Sequence, residues 1–466
     1  MRLWLLAAAA CAACLSHDAL AQERAPGFLD LIRMIPPEAE VYRGWQLFSY
    51  ADYRALEAAA GLRRPEAEAP PPAGGVALSG DWPEAERIAW RNSLARIAAG
   101  PMELAAYARG RDAGGTLMAD AVGIDFFAID RALVAGNGSL SLLAGTAPVA
   151  DLDAMATSSL RSRGYALGAA AGVPVWHRFD DGASAFLLSD PGTDADPFDG
   201  STLAAVRLAV LPDLLVNART WDGLEAALAM READGSDLAA LIAPMVEAAF
   251  TLDGVAPQVL QAWAAPVRDL AAPSAPMAAL LQPLTDGTGT DGIGTETLLQ
   301  GGAPAARPLP AYPVALFLDL QAGDMQVPAI VLPYASLEDA EEAAAIVSER
   351  LAQWHPQVPD ESLVALVSGT VETRVVEVPD FAAAVTGAFL QQAQDASREN
   401  VAAVAADRAG QPGAVAVIAV HHPMPADLSQ PLDLVAGTGG PGTLGRIWLA
   451  WLQAYANRAL TPLAVP

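Results

Sequence analysis

Short apolar runs and apolar stripes at helical spacing alternate along much of the chain. In the first half, Leu140–Ala144 reads as a strand, and residues 149–163 as a helix with Leu152, Met155 and Ser159 near one face. Residues 173–179 and 183–189 read as a hairpin across Asp180-Asp181-Gly182, and residues 205–211 and Leu214–Ala218 as a second across Pro212-Asp213. Thr220 then supplies a capping hydroxyl for a helix with Trp221, Leu224 and Leu228 on one stripe.

The pattern resumes with strands at 314–320 and 327–333. Ser336 and Asp339 have the spacing of a capping box, and Leu337, Ala340, Ala344, Val347 and Leu351 keep helical spacing through to Trp354. Residues 363–368, 372–378 and 414–420 read as further strands, with helical sequence over 380–407. The last helix, 444–460, places Ile447, Trp451 and Tyr455 on one face with Trp448 and Leu452 beside them. A stripe of that kind predicts core packing.

Pairs of strands separated by helices predict an α+β fold: antiparallel sheets with helices packed on one side, built as two related units plus a C-terminal helix. Two Pro- and Gly-rich stretches divide the chain. Residues 65–75 form a Pro-rich linker, and 285–312 a Gly/Thr/Pro linker opening on Thr285-Asp286-Gly287-Thr288. The expected organisation is therefore a signal segment (1–21), an N-terminal helical segment (22–64), a first unit with a helical extension (76–284), and a second unit with the C-terminal helix (313–466).

Several short motifs carry a resemblance. They are Tyr50-Ala51-Asp52-Tyr53-Arg54, Gly123-Ile124-Asp125, Arg163-Gly164-Tyr165 and Gly172-Val173-Pro174-Val175-Trp176. In this order they resemble uncharacterised exported bacterial proteins with duplicated α+β, ferredoxin-like domains, over about residues 45–260 and more loosely 312–355. The resemblance implies a fold and an exported location. That family carries no assigned reaction, so no catalytic residue transfers.

Composition narrows the function. The 466 residues include 54 Asp and Glu against 27 basic residues, all of them arginine, for a net charge of −27. Such a field repels nucleic acids and anionic lipid, which bind through cationic groups. At the N-terminus, Arg2, the apolar run from Leu3 to Leu15, and a polar region ending in Ala19-Leu20-Ala21 have the order of an export signal cleaved before Gln22. Both cysteines, Cys11 and Cys14, lie inside it, so cleavage there leaves a thiol-free chain. Ala12-Ala13-Cys14 also partly resembles a lipobox, with Cys11 where leucine is usual, and a lipid anchor at Cys14 is the alternative. No later stretch is long and apolar enough for a transmembrane span.

Candidate chemistry is sparse. Gly287-Thr288-Gly289-Thr290-Asp291-Gly292 matches the dinucleotide-binding spacing but follows Pro283 and lacks the strand-to-helix context, so it reads as a loop. Asp190, Asp194, Asp196 and Asp199 share one acidic loop and are the candidate calcium ligands, although Phe198 breaks the EF-hand pattern. No other cofactor is predicted. His177, His355, His421 and His422 remain after signal removal. Neighbours on a strand face opposite ways, so His421 and His422 cannot share an ion without a bend at Pro423. Gly182-Ala183-Ser184-Ala185-Phe186 lacks the last glycine of a nucleophile elbow. The expectation is a periplasmic or secreted binding or scaffolding module with an envelope protein or ligand as partner. The alternatives are a lipid-anchored structural protein and a hydrolase with an unrecognised active site, which a cleft holding His177, His421 and a carboxylate would favour.

Overall fold

The computed structural model describes residues 26–36, 47–59, 129–136, 138–145, 155, 160–161, 164–181, 205–233, 236–267, 307–354, 362–392, 403, 405–424, 446–457 and 460–463. The expected export signal with Cys11 and Cys14, the 65–75 linker and the glycine run at 287–292 lie outside these residues.

Twelve strands form one open, fully antiparallel sheet. They are β1 (Phe48–Asp52), β2 (Arg131–Ala135), β3 (Leu140–Ala144), β4 (Ala166–Ala170), β5 (Val173–Arg178), β6 (Val206–Val210), β7 (Leu214–Ala218), β8 (Gln261–Pro266), β9 (Val314–Ala322), β10 (Met325–Tyr334), β11 (Thr370–Val378) and β12 (Gly413–Pro423). Their order is β11-β12-β10-β9-β8-β1-β2-β3-β7-β6-β5-β4. The helices are α1 (Phe28–Arg33), α2 (Tyr53–Ala59), α3 (Trp221–Arg231), α4 (Asp237–Ala249), α5 (Leu337–Ala352), α6 (Leu363–Leu366), α7 (Ala382–Gln392) and α8 (Arg446–Asn457).

The mixed α+β class is as the sequence predicts, but a single sheet stands where sheets in two units were expected. β8 and β9 lie on either side of the expected 285–312 boundary and pair from Gln261↔Asp319 to Pro266↔Val314. On this seam the rings of Trp263 and Phe317 stack at 3.7 Å with 7° between planes. Gln261 Nε2 donates to Asp319 Oδ2 at 3.1 Å in the buried interior.

Helices cover both faces, not one. Along β10, Val327, Ala329 and Val331 join a core with α1, α3, α4 and α7. Ile330, Leu332 and Tyr334 point the other way into a second core with α5 and α8. The cause is legible in the strands themselves: Val-Ala-Leu-Phe-Leu in β9 and Ala-Val-Ala-Val-Ile-Ala-Val in β12 are continuous apolar runs, and a strand of that kind needs cover on both sides. In the second core, Trp451 meets Phe317 edge-on at 5.9 Å and Tyr455 lies 4.7 Å from Trp263, so the aromatic stripe of the last helix is core.

Local signals held where they were chemical. Thr220 Oγ1 accepts from the Gly223 N–H, and Ser336 Oγ accepts from the Asp339 N–H, as the caps require. Two expectations fail. Residues 363–366 are the short helix α6, nucleated by Ser362, whose hydroxyl accepts from the Ala365 N–H. β5 has β4 and β6 on its two sides, which leaves neither open to its expected hairpin partner, 183–189, itself outside the described residues. The β4–β5 hairpin turns through Ala171 (φ 49°) and Gly172 (φ 79°), both left-handed, the signature of a two-residue type I′ turn.

Two stability changes follow. Ala171→Asn supplies a residue that tolerates the left-handed region and should raise stability by about 1 kcal/mol, read as a higher urea midpoint. Trp263→Ala opens a cavity at the seam and should cost about 3–5 kcal/mol in the same measurement.

Candidate functional site

The four candidate calcium ligands, Asp190, Asp194, Asp196 and Asp199, lie outside the described residues, as do Ser184 and His355. Among the described residues no group of three or more His, Cys, Asp or Glu side chains is placed to hold a metal. His177 is on β5 and His421 on β12, nine strand spacings apart in the sheet order. At about 4.8 Å per spacing that is roughly 43 Å, so the two cannot share a cleft and the His177–His421 hydrolase constellation does not form. His422 points to the face opposite His421 and opposes Gln326 in the ladder.

Three polar clusters organise the first core face. At the N-terminal end, Asp52 Oδ1 accepts from the Ala55 N–H and starts α2, while Oδ2 accepts from Arg131 Nε at 2.8 Å. Arg131 Nη1 donates to the Pro26 carbonyl, which ties the chain before α1 to the sheet. Burial, and next the charge of Asp52, push the Tyr50 phenol well above its ordinary value, so it stays protonated and acts as a packed ring beside Phe28.

At the far edge, Asp253, Arg374, Glu372 and His421 form a chain. Arg374 Nη2 meets Asp253 Oδ1 at 2.5 Å, Arg374 Nε meets Glu372 Oε1 at 2.9 Å, and His421 Nε2 lies 2.8 Å from Glu372 Oε2. The guanidinium neutralises both carboxylates, and the group fastens edge strand β11 to the turn after α4. Ion pairs this exposed contribute at most about 1 kcal/mol each.

The third cluster supports the opposite edge. Arg207 of β6 is buried, donates Nη1 to the carbonyls of Arg178 and Val206, and pairs Nη2 with Asp181 Oδ1 at 2.6 Å. Asp181 also accepts from the Trp221 N–H, holding the first residue of α3 against the sheet. The Arg207 guanidinium lies 5.1 Å from the Trp221 ring centroid, and the His177 ring 5.2 Å from it on the sheet side. Burial, and next the Arg207 charge, hold the His177 imidazole below its ordinary value.

Those rings stand beside β4, which ends the sheet. Its sequence, Ala166-Leu167-Gly168-Ala169-Ala170, is uncharged, with Leu167 53% exposed and Ala166 and Ala169 exposed. Register shows which groups point outward. In a two-residue hairpin the flanking pair, Ala170↔Val173, is hydrogen-bonded, and the bonding alternates from there. Gly168↔Val175 and Ala166↔His177 are therefore bonded pairs, while Leu167 and Ala169 turn their N–H and C=O groups away from β5. Pro174, opposite Ala169, fits this pattern: its missing N–H faces β6 where that ladder stops. The other edge of the sheet differs. β11 carries Glu372, Arg374 and Glu377 along nine residues, the charged form that discourages further pairing. Phe179, 39% exposed, extends the apolar surface of the β4–β5 hairpin, under the Arg178 guanidinium at 4.4 Å.

Sequence reading missed β4 because Ala and Gly carry little strand propensity, and it missed the Arg207–Asp181 pair because their spacing shows no motif. The one available signal was Ala171-Gly172 before Val173-Pro174-Val175-Trp176, a turn dipeptide ahead of a strand. No family model, no curated protein and no solved structure matches this chain.

The His177 environment has a pH consequence. An imidazole whose folded value is lowered leaves stability intact above the unfolded value of about 6.5 and erodes it as pH falls from there toward the folded value. His177→Gln should remove that part of the acid sensitivity, so the wild-type thermal midpoint should fall relative to the variant's between pH 7 and pH 5. Parallel midpoint curves would contradict the assignment.

Proposed function

We propose that this protein is a non-catalytic binding or scaffolding module of the bacterial cell envelope, and that it engages its partner by strand addition at β4. The observation that carries this is the uncharged, exposed β4 edge, with the outward N–H and C=O groups of Leu167 and Ala169, at the end of a sheet whose other edge is charged. An unpaired strand edge binds an extended chain through its backbone, and five residues accommodate one such strand. The pair of buried Arg207 with exposed Asp181, together with Trp221, stiffens the hairpin from behind, which reduces the ordering cost of docking.

Export through the segment ending at Ala21 supports the envelope location, and the net charge of −27 supports a protein rather than a nucleic-acid or anionic-lipid partner. The duplicated ferredoxin-like reading belongs to the same proposal. It is supported by a recurring order: β7 returns beside the β2–β3 hairpin, and β12 returns beside the β9–β10 hairpin, each antiparallel to its neighbour.

The test uses Ala169→Pro, which removes an outward N–H without removing a β4–β5 hydrogen bond. Tagged wild-type protein cross-linked in cells and recovered from the envelope fraction should hold a defined partner that the variant loses, with thermal midpoints equal within a few degrees. A partner retained equally by both proteins would place recognition elsewhere.

A further inference from the structure

Resting on that edge-binding reading, the geometry around Gly168 also specifies the strand that fits. We infer that β4 accepts an antiparallel extended segment of a basic partner protein carrying one large apolar side chain opposite Gly168.

The register comes first. Leu167 and Ala169 present the outward hydrogen-bonding groups, so an added antiparallel strand bonds at those two positions, and the residue opposite Gly168 falls in a non-hydrogen-bonded pair. Such pairs bring Cα atoms to about 4.5 Å, the closest approach in an antiparallel ladder. On the face shared by Gly168 and His177, the missing side chain lets the His177 and Trp221 rings close over the strand, and they fill the space a side chain would take. A Cβ at Gly168 would lie 3.3 Å from His177 Cδ2 and 3.7 Å from Trp221 Cη2. Both rings are only half-buried. A large apolar side chain from across the ladder packs against the outer, still accessible edges of these two rings, a cross-strand contact beside an edge glycine. Lowering of the His177 imidazole by burial and by Arg207 keeps that surface uncharged near neutral pH, which suits an apolar rather than an ionic contact.

Charge selects the flanks. The chain carries −27 while β4 itself carries none, so long-range attraction favours a basic segment and disfavours a second copy of this chain. Size argues the same way. A stable homodimer buries about 800 Å² per partner, more than a five-residue strand edge offers by itself.

The probe is the peptide acetyl-Arg-Thr-Val-Phe-Val-Thr-Arg-amide, titrated against full-length protein by fluorescence polarisation at low and physiological salt. Binding should weaken about tenfold when the peptide Phe is replaced by Gly, when both Arg are replaced by Glu, or when the protein carries Ala169→Pro. Backbone N-methylation gives a readout that leaves the protein untouched. Methylating the two Val residues that face Leu167 and Ala169 should abolish binding, and methylating the Phe, whose N–H points away, should not. Equal affinity for the Phe and Gly peptides, or insensitivity to Val methylation, overturns the inference. Concentration-dependent dimers in sedimentation that Ala169→Pro abolishes would assign the edge to a second copy and overturn it as well. If the peptide fails while Ala169→Pro still releases the envelope partner, strand addition at β4 stands and only the partner chemistry proposed here falls.

Discussion

The antiparallel ladder between β8 and β9 is the constraint on which the rest of the structure rests. It joins strands β1–β8 to strands β9–β12 by backbone bonds, extended at both ends by Ala256 N–H to the Gln321 carbonyl and Val267 N–H to the Pro313 carbonyl. Side chains reinforce it on the second face, where Trp263, Phe317, Trp451 and Tyr455 form one aromatic cluster. Because the two halves share this ladder, register in one sets the position of the other. A slip of one residue would put Trp263 and Phe317 on opposite faces of the sheet and carry Asp319 out of reach of Gln261.

An open sheet of this width has two ends, and the molecule treats them differently. At β11 the ionic chain Asp253–Arg374–Glu372–His421 ties the edge to the turn after α4 and lines it with charge. At β4 charge is withdrawn behind the edge: Arg207 pairs with Asp181, which also holds the start of α3, and the strand itself presents Leu167, alanines and backbone groups. The first arrangement resists a further strand, and the second accommodates one. The separation of His177 from His421 follows from the same width, because strand order rather than chain position decides which side chains meet.

Much of the local structure was legible in the residues. Thr220, Ser336 and Asp339 are caps whose chemistry acts within one turn, so neighbours in sequence suffice to specify them. β3, β7 and α5 appear where their apolar pattern places them, since burial on one face imprints a period on the chain. Residues 363–366 escaped because a capping serine outweighed a short apolar run, and β4 escaped because its stability comes from the turn and from β5 rather than from its own residues. The double cover of the sheet was written in the unbroken apolar runs of β9 and β12, which an expectation of helices on one side passed over.

By itself the sequence determined the α+β class, the caps, the acidity and the core role of the last aromatic helix, all of which depend on neighbours along the chain or on totals. Only the tertiary structure decided that there is one sheet, that β4 and β11 are its ends, and that Gly168 lies beside His177 and Trp221. Those are pairings between residues far apart in sequence, set by which registers bury both faces at once, and no local period encodes them.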